Sequence, residues 1–356
     1  MLQYKVEQYL VNDLQYLGFS QPMSIAIAEA LKVNPYPNPR VGAVLTDNQG
    51  KIKAISKHVK KGSNHAEINI FEQVKPKSSD VLYITLEPCF HSDTSPSCAS
   101  EIIKQGIKHV VIGDIDLDIR TNGKSVQMLK AKNITVRIEK NANNLLNPHY
   151  KNLHSNLKEI NYLLKIGISK NNFITNNSSK SKYITNEVSL KLSHFLRASA
   201  DCIVIGKNTL LSDKPKLNVR LQEIKNSKHI PAPIVLWGRS SKNLSEAQRE
   251  FPNFTFLSDS PTQDNNIKCS TYSIDDIESF FLNKNFRNVF IEGGNSVIDL
   301  FLKQNKIDTI YEFRSQKNID SGLKISQVYL DNVKNDFSIS NEYQLLDNSL
   351  TTYTKD

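Results

Sequence analysis

Apolar residues in the first part of the chain (Leu2, Val6, Tyr9, Leu10, Leu14, Leu17) recur at three- and four-residue spacing, which predicts an amphipathic helix over about residues 1–20. Beyond it the period keeps switching. Met23–Val33 reads as a helix, and Val41–Thr46 and Ile52–His58 read as strands flanking the turn Asp47-Asn48-Gln49-Gly50. Ala66, Ile70 and Val74 mark a helix, Val81–Leu86 a buried strand, Cys98–Gln105 a helix closed by Gly106, and Val110–Gly113 another strand. The Asn-, Lys- and His-rich stretch Asn141–Lys158 interrupts this alternation and marks a junction. A second alternation follows: strands at Tyr162–Ile168, Cys202–Gly206, Ile234–Trp237 and Val289–Ile291, helices at Glu187–Ser199 and Ser296–Lys303, and a strand-like tail from Thr309. Asn171–Lys182 is polar and reads as a loop.

Short apolar strands alternating with helices predict α/β layering in both halves. At 356 residues the chain exceeds one ordinary core, so two domains are expected, 1–150 and 151–356. No internal repeat is present, and the halves read as different folds.

Composition narrows the class rather than the function. The net charge of +9 admits an anionic partner, either nucleic acid or a phosphorylated small molecule, but the lysines are scattered and decide nothing alone. No run approaches the ~20 apolar residues of a membrane span. The N-terminus mixes Lys5, Glu7 and Asp13 into its apolar positions, unlike a secretory signal. A reducing cytoplasm is the expected compartment. There, neighbouring cysteines serve metals or catalysis more often than disulfides.

The chemistry concentrates between residues 65 and 98. His65-Ala66-Glu67 opens a predicted helix, Thr85-Leu86-Glu87-Pro88-Cys89 ends a predicted strand, and Cys98 starts the next helix. One imidazole and two thiolates supply three zinc ligands and leave a fourth position for water, the pattern of a catalytic site. Glu67, two residues past His65, is placed to carry a proton between that water and a leaving amine. His-x-Glu…Pro-Cys…Cys is the zinc-deaminase signature. Nucleic-acid deaminases separate the two cysteines by two residues, whereas here the excursion is Phe90 through Ser97.

With these residues in place, the chain resembles the bifunctional riboflavin-biosynthesis deaminase/reductase family. Pro37-Asn38-Pro39-Arg40-Val41-Gly42 is similar to its Asn-Pro-x-Val-Gly turn, His65-Ala66-Glu67 to its His-Ala-Glu, and Thr85–Cys98 to its Thr-Leu-Glu-Pro-Cys-Ser-His…Cys block with the same long spacing. The second half resembles the family's reductase in islands: Ser181-Lys182-Tyr183-Ile184-Thr185, Leu196-Arg197-Ala198, Thr209…Asp213…Leu217…Arg220, and Glu292-Gly293-Gly294-Asn295-Ser296.

The resemblance implies an α/β chain with a cytidine-deaminase-like three-layer N-terminal domain and a dihydrofolate-reductase-like C-terminal domain. It implies zinc on His65, Cys89 and Cys98 with Glu67 catalytic, and Asn38 on the pyrimidine. In the second half it implies substrate contacts at Ser181, Arg197, Leu217, Arg220 and Glu292. NADPH contacts are implied at Ile168, Tyr183, Thr209, Asp213, Gly294, Asn295 and Ser296. The implied chemistry is hydrolytic deamination of a phosphorylated aminopyrimidine by zinc-activated water, followed by NADPH-dependent reduction of the ribosyl group to ribityl. Neither nucleic acid nor membrane is an expected partner.

Three segments depart from the family pattern. Asp114-Ile115-Asp116-Leu117-Asp118 stands for Asp-Pro-Asn-Pro, Ser169-Lys170-Asn171-Asn172 for Ser-Leu-Asp-Gly, and Phe313-Arg314-Ser315 lies where Pro and Gly are usual. The departures leave a deaminase with a drifted reductase half as one alternative; a nucleic-acid deaminase, suggested by the net charge and the shared zinc chemistry, is a second, and a zinc-stabilised binding module without turnover a third. The N-terminal helix lies outside the family pattern and has two candidate uses, capping a sheet or joining copies in a homo-oligomer. Cys202, Cys269 and Trp237 read as core residues, and His109, His194 and His229 as packing or surface residues.

Overall fold

The computed structural model describes residues 13–90, 97–148, 150, 159–177, 183–221, 229–239, 242–259, 267–268 and 273–355. They divide into two compact units, Met1–Asn156 with Arg220–His229, and Leu157–Val219 with Ile230–Asp356. Of the expected N-terminal helix, residues 13–20 fall within the described residues; 13–15 are helical, and 16–18 form a turn before the next helix.

The first unit is built in the order α1 (Gln21–Ala30), β1 (Gly42–Thr46), β2 (Ile52–Lys57), α2 (Ala66–Gln73), β3 (Val81–Ile84), α3 (Cys98–Lys104), β4 (His109–Ile112), α4 (Lys124–Ala131), β5 (Thr135–Ile138) and α5 (Ala142–Leu146). Its five-stranded sheet runs β2-β1-β3-β4-β5, with β1 antiparallel to both neighbours and β3, β4 and β5 parallel. The alternation within β1 divides two apolar layers. Ala43 and Leu45 pack with Ala66, Ile70 and Ile102 on the face covered by α2 and α3. Val44 packs with Ile25 and Ala26 of α1 on the other. This is the three-layer arrangement that the pattern implies. Gly42 is required at the start of β1, because a Cβ there would lie 1.9 Å from the Ala26 carbonyl oxygen. Sequence reading passed over β5 because it is an edge strand with little burial, so no period-2 pattern is imposed on it.

The second unit follows as β6 (Asn161–Ile168), α6 (Glu187–Ser199), β7 (Cys202–Gly206), α7 (Lys207–Asp213), β8 (Ala232–Gly238), α8 (Leu244–Glu250), β9 (Thr255–Ser258), β10 (Ile267–Lys268), α9 (Ile274–Asn283), β11 (Asn288–Ile291), α10 (Asn295–Lys303), β12 (Thr309–Ser315), α11 (Gln327–Asp336), β13 (Phe337–Leu345) and β14 (Asn348–Lys355). Nine strands form one sheet, β10-β9-β8-β7-β11-β6-β12-β14-β13. It is parallel from β10 to β12 and closes with an antiparallel hairpin. Tyr162, Leu164, Ile166 and Ile168 of β6 enter one core with Ile277, Phe281, Ile298 and Phe301 of α9 and α10. Lys165 alternates to the opposite face. Cys202 and Trp237 are buried, as expected of core residues; Cys269 lies outside the described residues.

The strand-like tail requires correction. It contains α11, started by Ser326, whose Oγ accepts from the Tyr329 amide at 3.2 Å. Its polar composition hides the helix in the sequence, and its apolar positions Val328, Tyr329, Leu330 and Val333 reach the core.

Two of the departures prove to be one local rearrangement. Asn172 takes the left-handed conformation (φ 69) that Gly would occupy, one that Asn tolerates well. Arg314 Nη1 donates to Asn172 Oδ1 at 3.0 Å and to the Ser169 carbonyl at 3.4 Å. Glu312, buried and bonded to the Tyr329 hydroxyl at 2.7 Å, in turn accepts from Arg314 Nε at 2.9 Å. The substituted residues on β12 thus hold the substituted turn after β6.

Candidate functional site

The parallel strand β3 delivers Pro88-Cys89 at its carboxyl end, and the N-termini of α2 and α3 deliver His65 and Cys98. The ligand atoms of His65, Cys89 and Cys98 all lie within 4.8 Å of one another, the only such cluster among the described residues. His65 Nδ1 is 3.2 Å from Cys98 Sγ, and the Cys98 amide donates to Cys89 Sγ at 3.2 Å. Tetrahedral ligand atoms at zinc distances lie about 3.5–3.8 Å apart, so small side-chain adjustments suffice and the donor set fits zinc. The electrostatics agree. Hydrogen bonding from Cys98, reinforced by His65, pulls the Cys89 thiol down to about 4, whereas its partner Cys98 is pushed well up. The bond to Cys89 raises the His65 imidazole to about 9. The protons so held on Cys98 and His65 are what a divalent cation displaces.

Glu67 is 2% exposed, and its Oε2 has no hydrogen-bond partner among the described residues. Burial pushes its carboxyl up, with the His65 charge acting against that shift. It lines a pocket of about 140 Å³, open to solvent, together with His65, Cys89, Asn38, His58, Leu86 and Glu87. Asn38 is oriented by its surroundings. His58 Nδ1 sits 3.1 Å from the Asn64 carbonyl, so it carries the proton, and Nε2 is left to accept from Asn38 Nδ2 at 3.0 Å. That leaves Oδ1 as the Asn38 acceptor. Just after it, buried Arg40 donates to the Val33 and Leu146 carbonyls and anchors the turn.

Sequence reading missed the outer wall of this pocket, Asp116, Asp118, Arg120 and Tyr150. Arg120 grips Asp118 through Nε and Nη2, and the Tyr150 hydroxyl donates to Asp116 at 3.0 Å. The signal was the acidic alternation at 114–118, noted only as a departure.

In the second unit Arg197 of α6 meets Glu292 at the end of β11 in a bidentate pair, Nε to Oε1 at 2.9 Å and Nη2 to Oε2 at 2.5 Å. Arg197 Nη1 also donates to the Asn218 carbonyl at 3.2 Å. The parallel register pairing Leu164 with Ile291 places Lys165 beside Glu292. Burial would raise the Glu292 carboxyl, but Arg197 and Lys165 together hold it below its ordinary range. Burial likewise pushes the Lys165 ammonium down, with Glu292 opposing. Lys165 was legible as the one charge in an otherwise apolar strand.

Beside this cluster, at the carboxyl ends of β7 and β11, Gly206 and Gly293 permit close packing against Val297 of α10. A Cβ on Gly293 would come 2.5 Å from Val297 Cβ, and one on Gly206 would come 2.8 Å from Val297 Cγ2. A Cβ on Gly294 would lie 3.6 Å from Thr209 Oγ1. Gly294 is the N-cap of α10 and brings no side chain to its first amides. A bare helix start at the ends of parallel strands suits a nucleotide phosphate, as a dinucleotide such as NADPH would present. Gly293→Ala should therefore weaken NADPH binding by at least about tenfold, since the helix start must shift; a titration of NADPH fluorescence checks it.

The other expected residues are placed as follows. Asn295 is tied to the Lys324 carbonyl and the Ser326 amide, while Ser296 and Tyr183 are exposed. Ile168 points into the core, so only its backbone can face a ligand. Leu217 is buried in a left-handed conformation. Asp213 ends α7 exposed, and Arg220, also exposed, falls with the first unit. Ser181 lies outside the described residues. None of the described helices is long and apolar enough to cross a membrane.

A family profile described as "Cytidine and deoxycytidylate deaminase zinc-binding region" matches residues 19–114, and one described as "RibD C-terminal domain" matches 163–313. A diaminohydroxyphosphoribosylamino-pyrimidine deaminase of Buchnera aphidicola (Schizaphis graminum) is 39% identical over 121 residues, 34% of this chain and 82% of the relative. The riboflavin biosynthesis protein RibD of Aquifex aeolicus is 27% identical over 332 residues, 89% of this chain and 92% of the relative. Among solved structures, a Thermotoga maritima deaminase/reductase superposes with a TM-score of 0.64 at 26% identity, covering 97% of this chain and all of its own.

Proposed function

The chain belongs to the bifunctional riboflavin-biosynthesis deaminase/reductase family, and on that premise we propose how its two units divide the work. The first removes an amino group from diaminohydroxyphosphoribosylaminopyrimidine, and the second reduces the ribosyl group of the resulting uracil to ribityl. The observation carrying the deaminase reading is the His65, Cys89, Cys98 donor set beside a buried carboxylate with an orphaned oxygen.

Zinc on those donors supplies the Lewis acidity that makes water a nucleophile near neutral pH, and NADPH supplies the reducing equivalent. The chain's own residues do the rest. Glu67 takes a proton in the pocket and returns one to the departing amine. Asn38, with its amide direction set by His58, presents Oδ1 to a donor on the pyrimidine. In the second unit, Lys165, Arg197 and Glu292 form a charged cluster suited to the hydroxyls and phosphate of the sugar arm, and the bare start of α10 at Gly294 takes the cofactor phosphate.

The test incubates the zinc-loaded protein with the phosphorylated diaminopyrimidine, with and without NADPH, and identifies products by mass. Exchange of one amino group for oxygen without NADPH, and addition of hydrogen only with it, is the expected result. Deamination with no NADPH oxidation would retire the reductase half. Deamination of single-stranded RNA in preference to the free pyrimidine would overturn the small-molecule reading.

A further inference from the structure

Glu87 stands one residue before the Pro88-Cys89 pair, yet the metal cluster does not use it. It is 3% exposed and saturated by backbone donors. Oε1 accepts from the amides of Ser125 and Val126 at 3.1 and 3.2 Å, and Oε2 from those of Gly123 and Asp116 at 2.8 and 3.2 Å. Its own amide donates to the Asp114 carbonyl at 2.8 Å, and the Phe90 amide reaches Thr121 Oγ1 at 3.4 Å. All these partners belong to the β4–α4 connection and the first turn of α4. That connection carries Asp116, Asp118 and Arg120, the pocket's outer wall.

We propose that Glu87 is a positioning residue whose carboxylate locks this wall onto the strand end that carries Cys89. A substrate seated against Asp116, Asp118 and Arg120 is thereby held in register with the metal donors and Glu67. The proposal rests on the deaminase reading. The choice of residue follows from acceptor count. A carboxylate offers lone pairs on both oxygens and no donor, whereas Gln would turn an NH₂ group against two backbone amides. The start of α4 also favours negative charge. A side chain that only filled space would be served equally well by Gln.

The experiment uses the zinc-loaded full chain. Hydrogen exchange is followed at the amides of Asp116, Gly123, Ser125 and Val126, alongside zinc content and deaminase kcat and KM. For Glu87→Gln the expected result is exchange at those amides faster by about tenfold or more, with KM raised by at least about tenfold. kcat should change less than KM, and zinc should stay stoichiometric. Glu87→Asp, which keeps both acceptors on a shorter stem, should fall between parent and Gln. Should Gln fail to fold, Asp and Thr121→Val must still raise KM. Parent-like exchange and KM in Glu87→Gln would overturn the clamp, as would a loss of zinc with KM unchanged. If the parent itself releases no ammonia, the deaminase reading has failed, and the exchange rates alone decide whether the clamp exists.

Discussion

Replacing Glu67 by Gln should leave a folded, zinc-loaded protein whose ammonia release has dropped by roughly a thousandfold or more, the range expected when a proton carrier is lost. The amide has nearly the shape of the carboxyl and keeps its place in the buried face of α2, but it can neither take nor return a proton. Glu67 is 2% exposed and one of its oxygens lacks a partner among the described residues, so the carboxylate adds little to folding. Burial disfavours its charge, and removing that charge should leave the melting temperature unchanged or raise it. This pairing of lost turnover with undiminished stability marks a residue kept for chemistry. Stripping zinc with a chelator should give the opposite pairing, loss of turnover together with destabilisation of the first unit, because three donors would be left packed together without their cation. A Gln variant that still released ammonia at the parent rate would remove Glu67 from the mechanism.

Arg197→Ala should destabilise the second unit by about 3 kcal/mol, because breaking a buried ion pair from one side strands its partner. Glu292 is the stranded group: its side chain is 9% exposed, and its carboxylate is now held ionised against burial by Arg197 first and Lys165 next. For a unit of this size the loss corresponds to roughly 6–12 °C in melting temperature. NADPH oxidation should disappear as well, while deamination persists. Pairing Arg197→Met with Glu292→Leu separates the two effects. The double variant removes the ion pair together but leaves Lys165 without its counter-charge, so it should regain part of the lost stability and none of the reductase activity. Calorimetry with parallel assays of both half-reactions checks each limb, and an unaltered melting temperature in Arg197→Ala would rule out the pair as a structural element.

Two of the three departures from the family pattern lie in the second unit and bear on whether the reductase half is intact, and the third lies in the first unit. The first two answer each other in space, since Arg314 caps the turn that Asn172 makes in place of Gly. The third replaces a turn with an acidic segment, and Tyr150, Arg120 and Glu87 hold that segment as a pocket wall. Each departure is accommodated locally, in keeping with a conserved architecture carrying altered loops.

Much of this protein was legible in the order of its residues. The period of the apolar positions located the main strands and the helices that carry His65, Cys98 and Arg197, because burial on one face repeats at the pitch of each element. The zinc donors were legible because a soft cation with an open position needs one imidazole, two thiolates and a nearby carboxylate, and few other purposes require that set. What escaped the sequence were partnerships between residues far apart in it. Lys165 and Glu292 become neighbours only through the register of two parallel strands, Asn38 acquires its direction only from His58 and Asn64, and Glu87 finds its four amides only when β3 and α4 converge. Local spacing encodes which face a side chain takes. Which charges and amides it then meets depends on chain segments that folding brings together, and tertiary structure alone decides that.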